Sequence, residues 1–273
     1  MTRLILLCFA LVTSLAQAQS DADLRVRLLN KPLYLSGAWA SDKLTFDSTG
    51  HPRNTSNATT YTLAGIAVTK VSLQPDKLIL EGQRYGIRFV NQLPKRVPLE
   101  VDKGFGRTES EKIHIEIERT PASDMNAALD TIFYTRVAQF LPQIPPAWEK
   151  SFRSAFLPKE TQTSAADPGA SAIQADDEVL RIGGTVLPPR LLKQTDPAYN
   201  NVARALRVTG EVIIDLHVEA DGMPSHIEIV RPVGLGLDEQ AARAVSTYRF
   251  APATREGQPV PVMLRVAVNF QIF

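Results

Sequence analysis

The chain has 273 residues, 44% of them hydrophobic, with 30 basic and 29 acidic side chains and a formal net charge of +1. That apolar content suffices for packed cores and is far from a disordered composition, and the length suits two domains of ordinary size. The balanced charge forms no basic stripe, which argues against nucleic acid or an anionic membrane surface as a partner.

The first eighteen residues read as a secretory signal peptide. Arg3 is followed by an apolar run over 4–15 and then by Ala16, Gln17 and Ala18, the basic, apolar and small-residue order of an export signal. The run is shorter than the roughly twenty residues a membrane span needs. Cleavage after Ala18 removes Cys8, the one cysteine of the chain, so disulfides, thiolate catalysis and thiolate metal sites are excluded from the mature protein. The expected location is the periplasm; an uncleaved inner-membrane anchor is the lesser alternative.

Residues 19–156 read as a β-rich domain with a helical C-terminal part. Alternating or β-branched runs stand at 43–46, 59–63, 66–73, 77–80, 85–90, 97–101 and 112–118, at intervals that suit a meander, a sandwich or a partly open barrel. A helix should follow. Ser123 is placed to cap it, Met125, Leu129, Ile132, Phe133, Val137 and Phe140 form its stripe, and Pro142 stops it. A second short helix is expected from Pro146, carrying Trp148, Phe152 and Phe156.

Residues 157–179 are small, polar and without periodicity, the composition of a linker. Residues 180–273 then compose a small α+β unit. A short helix is expected from Pro197, with Tyr199, Val202 and Leu206 on one side. Two alternating runs at 212–218 and 225–230 are joined through Asp221-Gly222, a hairpin signal because Gly accepts positive φ. Asp238 is placed to cap a helix whose apolar face is Leu237, Ala241, Val245 and Tyr248. Val260, Val262, Leu264, Val266, Val268, Phe270 and Ile272 then alternate without a break, as in a strand with one buried face.

Several of these residues together resemble the C-terminal domain of the TonB energy-transducer family. The likeness rests on Pro197-Ala198-Tyr199, on Gly210, on Ala220-Asp221-Gly222, and on 236–241 (Gly-Leu-Asp-Glu-Gln-Ala). It continues through Ala244-Val245, 248–252 (Tyr-Arg-Phe-Ala-Pro), 257–260 (Gly-Gln-Pro-Val) and the closing alternation. The family pattern has Pro after the first Tyr, where this chain has Asn200, and more often Trp where it has Tyr248. The first departure should leave the start of the short helix less fixed. The resemblance implies a three-stranded antiparallel sheet with two helices. It also implies a protein-binding role toward outer-membrane transporters, with no enzyme activity. Full TonB transducers hold an uncleaved N-terminal helix that meets the ExbB and ExbD motor. With the apolar segment expected to be cleaved, coupling to ExbB and ExbD is not expected.

The candidate binding residues are those of the last strand and the helix start: Met263, Arg265, Val266, Ala267, Val268, Asn269, Phe270 and Tyr199. A strand at a sheet edge carries unpaired N–H and C=O groups that accept an incoming strand. The partner is an extended segment of an outer-membrane transporter or another envelope protein. The alternative is a scaffold or self-associating module that uses the same edge to form a homodimer. No cofactor is expected, and no nucleophile elbow, phosphate loop or dinucleotide motif is present. His217 and His226 sit on the polar faces of adjacent strands. Solvated histidines are the plain reading, because no third metal ligand is evident from the sequence.

Overall fold

A computed structural model describes residues 21–54, 57–158 and 179–272, so the expected signal segment lies outside the described residues. Helix α1 (Asp21–Leu28) buries Leu24 and Leu28. The alternating runs then form β1 (Leu33–Leu35), β2 (Lys43–Phe46), β3 (Gly65–Leu73), β4 (Lys77–Val90), β5 (Leu93–Pro98), β6 (Glu100–Asp102), β7 (Thr108–Ser110) and β8 (Lys112–Glu118). After them come α2 (Met125–Ile132), β9 (Phe133–Tyr134) and α3 (Pro146–Phe156). Seven of the strands make one sheet in the order β2-β8-β4-β3-β1-β9, with β5 also on β4. The pairing of β2 with β8 is parallel. Strand β4 is long enough to pair with β8 through its first half and with β5 through its second. Leu78, Leu80, Ile113, Ile115 and Ile117 of this sheet pack with α1 and α2 in one apolar cluster. Each is a period-two position, which is why the alternation predicts the buried face.

Three local expectations are overturned. Residues 59–63 do not form a strand: Tyr61–Leu63 is a 3-10 turn in which the Thr60 side chain accepts from the Thr62 N–H, a bond Thr offers in competition with a sheet ladder. The helix expected up to Phe140 stops at Ile132, because Phe133 and Tyr134 pair with Leu35 and Tyr34. The rest of the stripe is a 3-10 segment, Val137–Gln143, with Pro142 inside it. The cap of α2 is Asp124, whose carboxylate accepts from the Asn126 and Ala127 N–H groups. Ser123 instead holds the Thr120 turn before it.

The C-terminal unit begins with β10 (Val186–Leu187), β11 (Arg190–Lys193) and α4 (Asn201–Ala205). It continues through β12 (Gly210–Val218), β13 (Pro224–Arg231), α5 (Leu237–Ser246), β14 (Arg249–Ala251), β15 (Ala253–Arg255), β16 (Gln258–Val260) and β17 (Val262–Phe270). A three-stranded antiparallel sheet runs β13-β12-β17. Helix α5 packs on β12 and β13 and buries Leu237, Ala241, Ala244 and Val245. Gly222 has φ +80, and a Cβ there would stand 2.0 Å from the Phe250 carbonyl oxygen, so the hairpin needs glycine on both counts. The start of α5 differs from the expectation. The residue capping α5 is Gly236, with φ +75 and no side-chain bond. Asp238 lies inside the first turn and reaches back, accepting from Val233 N–H and Gly234 N–H at 2.7 Å each. Burial and the neighbouring Glu239 push its carboxyl well above the ordinary value, against those two amides.

The two halves meet through main chain and core. Phe89 N–H donates to the Val233 carbonyl at 2.8 Å and Leu235 N–H to the Ile87 carbonyl at 3.0 Å. Gly236 N–H donates to the Thr62 hydroxyl at 3.0 Å. Gly234 has φ +91 and a Cβ on it would sit 2.2 Å from the Ile87 carbonyl oxygen, so its role is this close approach rather than the helix start alone. Tyr61, Phe89, Trp148 and Phe152 share one apolar cluster with Val233, Leu235 and Leu237. Helix α3 packs against β13, where Lys150 pairs with Glu228 at 3.3 Å. The segment read as a linker lies almost wholly outside the described residues. No helix of the described residues is long and apolar enough to cross a membrane.

Candidate docking edge

Strand β17 is paired along its whole length with β12, from Val218↔Val262 to Gly210↔Phe270. Among the described residues its other side meets only a stub: Leu180 N–H donates to the Pro261 carbonyl at 2.9 Å, and Met263 N–H donates to the Leu180 carbonyl at 3.2 Å. The Met263 amide therefore points away from β12. Within a strand the amide and carbonyl of successive residues alternate in direction. Arg265, Ala267 and Asn269 share the parity of Met263, so their N–H and C=O groups point the same way, to the side on which no strand is paired among the described residues. The register on the far side agrees, since Glu219, just past β12 and of the same parity as His217 opposite Met263, donates its N–H to the Met223 carbonyl of the hairpin at 2.9 Å.

Side chains separate by the same period. Met263, Arg265, Ala267 and Asn269 are exposed, while Val268 and Phe270 are buried and Val266 is half-buried. The last three turn their main chain toward β12 and their side chains inward, so their place is in packing. Arg265 is engaged: its guanidinium donates to both carboxylate oxygens of Asp215 across the strand pair, at 2.6 and 2.8 Å. Those bonds hold the Asp215 carboxyl below its ordinary value.

Tyr199 precedes α4 instead of lying in it. Its ring meets Phe270 edge-on at 5.7 Å between centres, and partial burial raises its hydroxyl above the ordinary tyrosine value. The helix behind it is better fixed than the sequence suggested. Asn200 caps it, accepting from Ala203 N–H at 2.8 Å, and its amide also donates to the Leu235 carbonyl at 2.7 Å. A proline there would make neither bond. Sequence reasoning missed this because it weighed Asn200 only as a lost proline, although Asn is among the strongest caps.

On the outer face of the same sheet, His217 and His226 come together, with ring centres 4.6 Å apart. Glu219 stands beside them: one ligand atom from each of the three lies within 4.8 Å of the others. The third candidate ligand, Glu219, was in the sequence, two residues from His217 and just past the end of β12, but no hairpin register was available to join it to His226. His114 binds Glu116 at 2.9 Å on the polar face of β8.

Residues 195–272 match the family model described as Gram-negative bacterial TonB protein C-terminal. The chain is 24% identical over 86 residues to Protein TonB of Vibrio cholerae serotype O1, across 31% of this chain and 35% of that protein. It thus spans about a third of the length of that relative. A solution NMR structure of the Pseudomonas aeruginosa TonB C-terminal domain aligns with 19% identity, a TM-score of 0.25, and 31% of this chain against 89% of that one. The resemblance legible in the sequence thus holds for residues 195–272, which are similar to the C-terminal domain of TonB proteins.

Proposed function

We propose that this is a non-enzymatic envelope protein, exported to the periplasm, that binds an extended segment of an outer-membrane transporter by strand addition to β17. The observation that carries the reading is the outward row of main-chain groups at Arg265, Ala267 and Asn269, along which no strand is paired among the described residues. An extended peptide laid there gains main-chain hydrogen bonds, and the exposed side chains of those residues set which sequences fit. The similarity of residues 195–272 to TonB C-terminal domains supports the class of partner.

A second reading has one observation in its favour. The Phe89 N–H bond to the Val233 carbonyl and the Leu235 N–H bond to the Ile87 carbonyl fasten the C-terminal unit to the β-rich domain, which suits an envelope scaffold or a homodimer paired through the same edge. The test compares Ala267→Pro with Arg265→Gln for retention of the detergent-solubilised outer-membrane transporters of the host. Proline at 267 deletes an outward N–H and leaves the β12 ladder whole. Loss of retention with Ala267→Pro alone supports transporter docking. Retention equal to wild type, with dimerisation lost, supports the scaffold.

A further inference from the structure

We propose that His217, Glu219 and His226 form a binding site for a divalent transition-metal ion, with Zn²⁺ the ion their chemistry suits best. Two imidazoles and one carboxylate are a ligand set that holds zinc with a fourth position left open. The three donor atoms already lie within 4.8 Å of one another. Tetrahedral zinc, with bonds of about 2.0–2.1 Å, brings its ligand atoms to roughly 3.3 Å. The remaining closure falls to side chains with room to move, since His226 is exposed and Glu219 half-exposed.

Two further observations point to a ligand. The first is an unmet valence: the Nδ1 of His217 is buried and has no hydrogen-bond partner among the described residues. A buried imidazole nitrogen without a partner is costly in a folded protein, and a metal ion would satisfy it. The second is backbone geometry. The register of β12 with β13 shifts between Asp215↔Glu228 and His217↔Ser225, so three steps along β13 answer two along β12. This bulge contains His226, whose φ is +46, in the left-handed region that residues with side chains adopt at a cost. Bulges re-aim side chains, and this one sets His226 against His217.

The surrounding groups support the ligands. The Ser225 hydroxyl donates to Glu219 Oε1 and lies 3.0 Å from His226 Nδ1. With its proton given to Glu219, the hydroxyl oxygen accepts from Nδ1–H of His226. That tautomer leaves the His226 Nε2 lone pair for a metal, which is the usual way an outer partner orients a ligating histidine. Nitrogen donors favour zinc, copper or nickel over magnesium or calcium.

The experiment is calorimetric titration of the mature chain, prepared without a histidine tag, with ZnCl₂ and separately with MgCl₂. The expected result is one Zn²⁺ per chain at micromolar affinity or tighter, and no binding of Mg²⁺. His226→Asn keeps a residue at ease with positive φ and should weaken Zn²⁺ at least tenfold, as should Glu219→Gln. His51→Gln, in a distant loop, should leave binding unchanged. Circular dichroism and the melting temperature of each metal-free variant guard against unfolding. Absence of Zn²⁺ binding by the wild-type chain, or equal binding by a folded His226→Asn protein, overturns the proposal.

Discussion

The Phe89 amide donates to the Val233 carbonyl across 2.8 Å, joining the sheet of the first half to the loop before α5. With Leu235 bonded back to Ile87 and Trp148 in the shared apolar cluster, the C-terminal unit has part of its core supplied by the β-rich domain. A specific protease site inserted between residues 161 and 175 should therefore yield two fragments that co-elute as one species in size-exclusion chromatography. Independent elution of two folded fragments would show that the contact contributes little.

Asn200 tests how far a departure from the TonB pattern is compensated locally. Its backbone has φ −75 and ψ 157, values proline adopts readily. Asn200→Pro thus restores the family residue without backbone strain but deletes the cap on Ala203 and the bond to Leu235. We expect a loss of about 1–2 kcal/mol, read by chemical denaturation. Unchanged or greater stability would mean that these two bonds contribute nothing net.

The parts of this fold that were legible were those where one physical period rules. Strand β17 and helix α5 have apolar residues at spacings of two and of three to four, and their buried faces follow directly. The exposed and buried sets of β17 were legible to the same degree, because alternation sets them. What failed was decided by distant partners. Phe133 and Tyr134 leave the helical stripe because β1 offers a ladder. Asp238 leaves the cap position because two buried amides need an acceptor. Glu219 joins His226 only through a bulge that no local pattern announces.

The Asp215–Arg265 pair should make the β12–β17 seam sensitive to acid. Bonding to Arg265 holds the Asp215 carboxyl below 3.8. A depressed carboxylate contributes stability that is present above the unfolded value and is lost as pH falls through the folded one. Arg265 is 64% exposed, so solvent screens the pair and keeps the effect small. The melting temperature of Arg265→Gln should lie below wild type at pH 7, and the gap should close as the pH falls through the acid range in which the Asp215 carboxylate takes up its proton. A gap that persists undiminished in acid would place the effect in packing instead of charge.

Docking of partners on the main chain of β17, as proposed, is tested most directly by position-resolved photocrosslinking in intact cells. A photoreactive residue is placed at Asn269, on the exposed side of β17, and for comparison at Ser246, exposed at the end of α5. The account predicts capture of outer-membrane transporters from position 269 and not from 246, with capture from 269 abolished when Ala267→Pro is added to a chain that remains folded. Equal capture from both positions, or capture from 269 that survives Ala267→Pro, would contradict it.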